Sequence, residues 1–248
     1  DKDHHFDFLM GSDQQFSLSN RSFLAEEMQV EGSAETAAFV EYIVFLKDIR
    51  EEGAGLRQKI KAAPGQEKEN LQEQLSGLTN RLHQYWDKVE EELPGSFLAK
   101  FVKANYVPSL DVSTLPPEVQ ENDSLLLRAR FNYQRNHFWD NFDYTDERFL
   151  YTPFFKPKLE TWFTKVLYQQ YDSIRKPVMD FIEEVKPRKR IFQFVASYFL
   201  NSSINSKVMG MDALFVDLAR KYYLAGEAFW ATDETVEKVR ENVLFADN

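Results

Sequence analysis

The fold is decided by residues 33–93, SAETAAFVEYIVFLKDIREEGAGLRQKIKAAPGQEKENLQEQLSGLTNRLHQYWDKVEEEL. Two series of mostly apolar residues recur there at alternating spacings of three and four. The first is Phe39, Tyr42, Leu46, Ile49, Gly53, Leu56 and Ile60, and the second is Leu71, Leu75, Leu78, Leu82, Tyr85 or Trp86, Val89 and Leu93. Such spacing places one stripe along each of two helices, and Pro64-Gly65 breaks the chain between them. The sequence therefore predicts a long antiparallel helical hairpin whose stripes pack together, with Ser33 as the N-cap.

Further helices are predicted after the hairpin. Phe97, Leu98, Phe101 and Val102 form the apolar face of a short helix, and the proline-containing residues 107–122 are typical of a connecting loop. Beyond the loop the same periodicity predicts helices near 123–138, 155–168, 174–185, 188–201, 207–225 and 233–246. Pro177 and Pro187 are expected at helix starts. Ile191, Phe194, Val195 and Tyr198 form one of the predicted apolar stripes.

The first residues of the chain are typical of short strands. Phe6 and Phe8, then Phe16 and Leu18, alternate with polar residues, and Met28 and Val30 indicate a third strand. Three strands of this length do not make a stable sheet alone. We expect residues 1–32 to be strands from the end of a truncated β domain. The predicted fold class is mainly α, with the hairpin and short helix in residues 33–106, a multi-helix domain in residues 107–248 and a small β-strand remnant at the N-terminus.

Composition narrows the classes of function. The 248 residues include 40 acidic and 30 basic ones, a formal net charge of −10, which disfavours binding to nucleic acid. There is no cysteine, so this chain has neither a thiol nucleophile nor a thiolate metal ligand. No stretch approaches the ~18 uninterrupted apolar residues of a membrane span, so we expect no transmembrane segment.

The densest polar and aromatic segment is residues 137–148, HFWDNFDYTDER. Three aspartates spaced by three invite a calcium interpretation, but the glycine and the glutamate of an EF-hand loop are missing. The simpler interpretation is a turn between helices, with Asp143 or Thr145 as a cap and the aromatic rings buried. Aromatic residues make up 15% of the chain, and they form either a core or an exposed groove for a partner. The candidate interaction surface comprises His137, Trp139, Asp143, Arg148 and Trp230.

We expect no catalytic, metal or cofactor site. His83 is expected on the exposed side of the hairpin, Glu90-Glu91-Glu92 is typical of a solvated helix face, and the basic run of residues 186–190 most simply flanks a helix. The chain also lacks the usual phosphate-binding, serine-hydrolase and zinc-protease motifs. The sequence therefore predicts that this chain is not an enzyme.

Several phrases of the chain resemble a family of bacterial envelope proteins. Residues 6–18, FDFLMGSDQQFSL, and residues 28–33, MQVEGS, resemble the end of a β-rich domain at the start of these proteins. Residues 137–148, residues 152–155, TPFF, and residues 206–212, SKVMGMD, resemble the helical domain of unknown function that follows. In that family a thioredoxin-like domain with a Cys-x-x-Cys motif comes next.

The resemblance implies a periplasmic or cell-envelope location and an accessory function. Without a Cys-x-x-Cys motif this chain cannot perform thiol-disulfide exchange itself. It is therefore expected to be a non-catalytic accessory region of a thiol-disulfide oxidoreductase-like protein, which positions or dimerises a C-terminal thioredoxin-like domain or presents clients to it. The expected partners are that domain, a second copy of the chain in a homodimer, and client proteins. The alternative is an independent helical module that binds a peptide or an envelope component in an aromatic groove.

Overall fold

A computed structural model describes residues 7–11, 13, 15–22, 24–104 and 106–246. It divides into two units, Asp1–Ala104 and Asn105–Asn248. Helices make up 69% of the structure, and the part of the chain that is described has a single sheet, which is small and two-stranded. The prediction of a mainly α chain with a small N-terminal β element is confirmed.

The first unit is built on the predicted hairpin. Its helices are α1 (Ala34–Ala62), α2 (Gly65–Glu92) and α3 (Phe97–Lys103). The Ser33 side chain accepts a hydrogen bond from the Thr36 amide at 3.2 Å, as expected of an N-cap. The proline at position 64 separates the two long helices because its ring disfavours a helical residue before it.

The two stripes of the hairpin face each other over much of its length. Phe39, Tyr42 and Leu56 of α1 are buried, as are Leu78, Trp86 and Val89 of α2. The rings of Phe45 and Tyr85 stack with centroids 4.3 Å apart. Gly53 faces Leu78 across the seam, since a Cβ there would lie at ordinary contact distance, 3.5 Å, from Leu78 Cδ1. His83 is half-buried rather than exposed, because its ring lies against Trp86 with centroids 5.0 Å apart.

Two of the three predicted strands form. β1 (Ser17–Ser19) and β2 (Gln29–Glu31) pair antiparallel, with Leu18 opposite Val30. Phe6 lies outside the described residues, and residues 7–11 have no regular structure. There the Leu9 carbonyl accepts a hydrogen bond from Thr36 Oγ1 at 2.7 Å, and Leu9 is itself buried. This segment is therefore anchored by the start of α1 instead of by a neighbouring strand.

A buried carboxylate connects α1 to α3. The Glu35 side chain is only 8% exposed, and its Oε1 accepts a hydrogen bond from the Leu98 amide at 2.8 Å. The Ser96 hydroxyl caps the same helix by accepting from the Ala99 amide at 3.1 Å. A carboxylate at the N-terminus of a helix is favoured by the unpaired amides and the helix dipole. Glu35 is thus a structural residue of the first unit.

The second unit is an assembly of helices joined by short turns. Its α-helices are α4 (Pro117–Gln120), α5 (Asp123–Asn136), α6 (Phe155–Thr161), α7 (Tyr171–Val185), α8 (Lys189–Ile204), α9 (Met211–Leu218) and α10 (Asp233–Ala246). Two of the predicted helices end in π-helical turns. Trp162–Val166 extends α6 and Ala219–Tyr223 extends α9.

The core of this unit lies among α7, α8 and α9. Fully buried residues include Ile174, Val178, Ile182 and Val185 of α7, Ile191, Val195 and Phe199 of α8, and Leu214 of α9. Phe194 and Tyr198, which the sequence placed in the core stripe of α8, are only half-buried. Since successive residues in a helix are about 100° apart, Phe194 and Tyr198 lie at one edge of the buried arc that runs from Ile191 through Val195 to Phe199, with Tyr198 only about 20° from Ile191.

The position of Pro177 differs from the prediction. α7 begins at Tyr171, so that Pro177 lies inside the helix and not at its start. A proline there removes one backbone hydrogen bond and crowds the preceding turn, at a cost of about 3 kcal/mol. Ile174 before it and Val178 after it are both fully buried. Burying these side chains offsets that cost and keeps the helix continuous.

The Met-Gly-Met-Asp phrase at residues 209–212 has a structural explanation. Gly210 precedes α9 with a φ of +86°, a conformation that favours glycine. A Cβ there would lie 3.2 Å from the Cβ of Tyr171. Met211 is buried, whereas Met209 is 95% exposed. The glycine is therefore required both by the backbone and by close packing at the start of α9.

We expect Leu78→Asp to destabilise the hairpin, because a carboxylate would replace a leucine that is only 6% exposed against Gly53. The expected loss in the free energy of unfolding is about 3 to 5 kcal/mol. The exposed Thr79→Asp on the same helix is the control, with an expected change below about 0.5 kcal/mol. Denaturant unfolding measures both, with hydrogen exchange of α1 and α2 amides as the local readout. Unchanged protection in Leu78→Asp would contradict the packed seam.

We expect Gly210→Ala to lower the free energy of unfolding by more than Gly226→Ala. Both glycines have positive φ, but a Cβ at Gly226 meets open space whereas one at Gly210 meets Tyr171. Backbone strain alone costs about 1–2 kcal/mol at each site, and the crowding adds to it only at Gly210. Denaturant unfolding of the two variants gives the difference. Equal losses would mean that the Tyr171 contact relaxes without cost.

Candidate interaction surface

The aromatic residues of the 137–148 segment lie mainly in the core. Phe138 and Phe142 are buried, as is Phe149 directly after the segment. Trp139 is half-buried, and its ring centroid lies 5.2 Å from that of Phe181 and 5.8 Å from that of Trp162. The segment itself is a turn after α5, followed by a 3₁₀ helix at Glu147–Tyr151. Of the two roles proposed for these rings, core and groove, the structure supports the core.

The polar residues of the predicted surface are engaged locally. His137 Nδ1 lies 2.6 Å from Asp140 Oδ2, and its ring stacks on Tyr133. Asp143 accepts hydrogen bonds from the amide and the hydroxyl of Thr145 at 3.1 and 2.7 Å, which stabilises the turn.

The remaining two residues of that surface also have neighbours. The Arg148 guanidinium forms a two-pronged pair with Asp146, at 2.9 and 2.6 Å. Trp230 packs edge-on against Phe192, with centroids 5.1 Å apart, in a different ring cluster from Trp139. These contacts do not gather the five residues into one site. Binding through them stays a prediction.

The sequence did not single out Lys158, which is the most unusual ionisable residue of the second unit. Its side chain is 6% exposed, and its Nζ lies 4.8 Å from the ring centroid of Phe138, 5.8 Å from that of Trp139 and 5.5 Å from that of Phe142. Burial lowers the pKa of the Lys158 ammonium to about 8. The rings offset part of the desolvation through cation–π attraction. In the sequence Lys158 lies three residues after Phe155 and four before Trp162, which puts it on the same side of a helix as these two rings. That spacing was a signal that Lys158 would be buried.

Several carboxylates of the second unit accept hydrogen bonds from tyrosine hydroxyls. Glu183 accepts a hydrogen bond from the buried Tyr222 at 2.9 Å and pairs with Lys221 at 2.8 Å. The hydrogen bond from Lys221 is the main cause of a lowered pKa at Glu183. Asp217 likewise accepts from Tyr171 at 2.6 Å. These groups tie helices together, since each carboxylate is satisfied by partners from the fold.

The outward face of α8 carries an open groove of about 780 Å³. We call it the α8 groove; its lining residues are Lys156, Arg190, Gln193, Phe194, Ser197, Tyr198, Asn201, Ser202 and Asn205. Seven of these nine residues belong to α8 and Asn205 is its C-cap, and together these eight follow two rows of residues spaced by four. Arg190, Phe194, Tyr198 and Ser202 form one row, and Gln193, Ser197, Asn201 and Asn205 form the other. The groove is therefore the channel between two adjacent ridges of one helix.

The wall of the groove that contains the aromatic rings is held by the core. Phe194 contacts Phe155 with ring centroids 5.5 Å apart, and Tyr198 contacts Phe163 at 6.3 Å. Burial raises the pKa of the Tyr198 hydroxyl, and the negative charge of the Glu160 carboxylate raises it further. Arg190 Nη1 donates to the Tyr151 hydroxyl at 2.7 Å, which orients the guanidinium.

The lining of the groove suits a polar ligand with some apolar surface. Side-chain amides and hydroxyls on one row both donate and accept hydrogen bonds, and ring faces on the other offer apolar contact. Arg190 adds positive charge in the first turn of α8, and Lys156, which follows the Phe155 that contacts Phe194, adds a second positive charge to the same groove. The sequence assigned Phe194 and Tyr198 to the apolar stripe of α8 and Arg190 to a basic run that flanks a helix, and it did not single out the amides.

A second recess, of about 680 Å³, lies beside the loop that precedes α9. It is lined in part by Ser203, Val208, Met209 and Phe245. Met209 is 95% and Phe245 is 87% exposed. The hydroxyl of Ser203 is buried and has no hydrogen-bond partner within the described part of the chain. The lining of this recess is mixed, and its two charged residues, Lys207 and Asp212, have opposite signs, so charge does not identify an occupant.

Two searches of the described residues gave negative findings. Within residues 7–11, 13, 15–22, 24–104 and 106–246, no group of three or more histidine, aspartate or glutamate side chains is placed to hold a metal ion. Over the same ranges, no helix combines the length and the apolar character that crossing a bilayer requires.

We expect the stability contributed at position 158 to depend on pH. The pKa of Lys158 is lowered in the fold to about 8 from an ordinary value of 10.5, so between these pH values the unfolded state binds more protons and folding is favoured as the pH rises. The free energy of unfolding of the native chain should therefore increase relative to Lys158→Met from pH 7 to pH 10. The difference between these two free energies of unfolding removes the contribution of the tyrosines, which both proteins share. Lys165→Met, at an exposed site, is the control, and a pH-independent difference for Lys158→Met would contradict the buried amine.

Comparisons with known proteins identify the second unit only. A family model for DUF5106, a domain of unknown function, matches residues 115–244. No curated protein and no solved structure matches significantly. The matched range lies inside residues 107–248, where the resemblance predicted a helical domain of unknown function. That part of the resemblance is confirmed, while the comparisons show no link to thioredoxin-like proteins. The chain belongs to the DUF5106 family.

Proposed function

We propose that this chain is a non-catalytic accessory region of a bacterial envelope thiol-disulfide oxidoreductase-like protein, and that it presents polypeptide clients to a thioredoxin-like domain. The observation that carries the proposal is the α8 groove, an open surface of about 780 Å³ lined by amides, hydroxyls and two aromatic rings. The phrases at residues 6–18 and 206–212 support the redox context through their resemblance to that family.

Because the chain has no cysteine, this proposal assigns binding and catalysis to different domains. Thiol-disulfide exchange begins with attack by a thiolate, and the chain has none. The chemistry therefore belongs to another domain, and this region contributes binding. Holding a client near a redox site raises the effective concentration of its disulfide.

Clients of such enzymes are polypeptides with accessible, unfolded segments. Exposed main chain offers amide donors and carbonyl acceptors, and its side chains offer apolar surface. The α8 groove supplies the complements of both, with amides on one row and Phe194 and Tyr198 on the other. A groove open to solvent also accommodates a chain that continues at both ends.

The test compares disulfide reduction by a thioredoxin-like domain alone and by the same domain fused after Asn248. Fusion is expected to lower KM for reduction of an unfolded, disulfide-containing protein and to leave reduction of a small disulfide unchanged. The present chain alone is expected to give no insulin reduction above background. Asn201→Trp, which fills the groove, should abolish the gain in KM, whereas Gln134→Trp, at an exposed position of α5, should keep it.

Two results would contradict this proposal. One is thiol-disulfide turnover by the chain alone. The other is a fused enzyme whose KM for the unfolded protein equals that of the isolated domain. Reading the gene beyond Asn248 adds an independent check, because a downstream Cys-x-x-Cys motif is expected. Its absence, together with peptide binding, would favour an independent binding module that uses the same groove.

A further inference from the structure

The row of polar residues on α8 has the repeat of an extended polypeptide. Gln193, Ser197, Asn201 and Asn205 are spaced by four residues, which is about 6 Å along the helix axis. Rows with this spacing are inclined by about 26° to the axis, so neighbours along the row are about 6.7 Å apart. Two residues of an extended chain also span about 6.7 Å. Any row of this spacing on an α-helix has the same repeat; on this surface all four members are polar and line the groove, so every second residue of a bound strand meets a polar side chain.

The side chains of this row have the chemistry of peptide groups. Gln193 and Asn201 are exposed, and each amide offers one acceptor and two donor hydrogens. Asn205 donates from Nδ2 to the Asn201 carbonyl at 2.7 Å, which leaves its Oδ1 as an acceptor. The Ser197 hydroxyl lies 3.2 Å from the Tyr223 hydroxyl, which fixes its position. Such a row recognises main-chain amides and carbonyls independently of the side chains between them.

The charged residues make the two ends of the groove different. Arg190 lies in the first turn of α8, and Lys156 lines the same groove. Arg190 donates to the neutral Tyr151 hydroxyl, so its positive charge is not neutralised by that contact. Further along, Glu160 lies near enough to Tyr198 to affect its hydroxyl. A carboxylate on the ligand is therefore favoured at the Arg190 end and disfavoured beside Tyr198.

The neighbours of Arg190 in the basic run have other contacts. Lys186 pairs with Glu227 at 2.8 Å, and Lys189 Nζ lies 5.7 Å from the ring centroid of Phe229. Arg190 is the member of the run that lines the groove. The basic run thus contributes one positive charge, that of Arg190, to the α8 groove.

We infer that the α8 groove binds an extended polypeptide segment through its main chain, in one direction, with a ligand carboxylate at Lys156 and Arg190. The inference rests on the proposed function and specifies the class of segment that the region holds. The carboxylate comes either from an acidic side chain or from the C-terminus of the ligand. Alternation along the row predicts contact with every second peptide group.

The test is fluorescence anisotropy of labelled hexapeptides with the full chain. One set carries an aspartate at the first, middle or last position, each with a free or an amidated C-terminus. A second set carries N-methyl groups on either the odd or the even amides. Aspartate at one end should bind at least about fivefold more tightly than in the middle, and the amidated forms distinguish a side-chain from a terminal carboxylate. N-methylation in one phase should weaken binding by about tenfold, and in the other phase should have little effect.

Variants localise the effect. Gln193→Leu and Asn201→Leu should each weaken binding by about fivefold, while Gln134→Leu on α5 should not. Arg190→Glu should reverse the preference from aspartate to lysine, while Lys165→Glu, at an exposed site outside the groove lining, should leave the preference unchanged. Circular dichroism and thermal melts verify that each variant folds.

The outcomes separate this inference from the function on which it rests. Peptide binding that ignores the phase of N-methylation and is unaffected by the Leu variants overturns main-chain recognition but leaves client binding intact. Failure of every peptide and of an unfolded protein to bind overturns both. Selective binding of N-acetylglucosamine oligomers in place of peptides, lost in Asn201→Leu, assigns the groove to a glycan and overturns the inference.

Discussion

Burial of one side of α8 is the constraint on which the second unit depends. Ile191, Val195 and Phe199 have no exposed surface, and each such side chain contributes about 1.5–3 kcal/mol by leaving water. α7 and α9 pack against this helix, so its rotation about its own axis is fixed. The rows at 190–202 and 193–205 therefore run beside this buried side, with Gln193 and Asn201 exposed and Phe194 and Tyr198 half-buried at its edge. The core thus determines both the existence of the groove and the register of the residues along it.

Helices were the predictable part of the fold, since long apolar periodicities report directly on which side of a helix is buried. The hairpin, α5 and α10 follow their patterns closely. The errors have local causes. Pro177 was read as a helix start, whereas buried neighbours hold the helix through it. The strand expected near Phe8 is missing because the Leu9 carbonyl is bound by Thr36. The π-helical turns leave no signature in a pattern of 3.6 residues.

The functional surface was much less predictable. Residues 137–148 attracted attention because polar and aromatic groups are dense there, but density in sequence does not tell whether a ring such as that of Phe142 lies inside. Phe194 and Tyr198 were assigned to the core because they are apolar and follow the helical spacing of Ile191 and Val195, but the buried side of α8 extends toward Phe199 and leaves them at its edge. The α8 groove requires the rotation of α8 to be known, and it adds Lys156 from a helix more than thirty residues away in sequence.

The enclosure of Lys158 by rings has a consequence for reactivity. Reagents that acylate amines attack the neutral form, and a pKa of about 8 makes that form about one tenth of the total at pH 7. A lowered pKa favours the reactive, neutral form of Lys158, but Phe138 and Phe142 shelter its amine from the reagent. Its acylation therefore requires this part of the helical unit to open. The rate at which this one amine is acylated therefore measures how often the aromatic core opens.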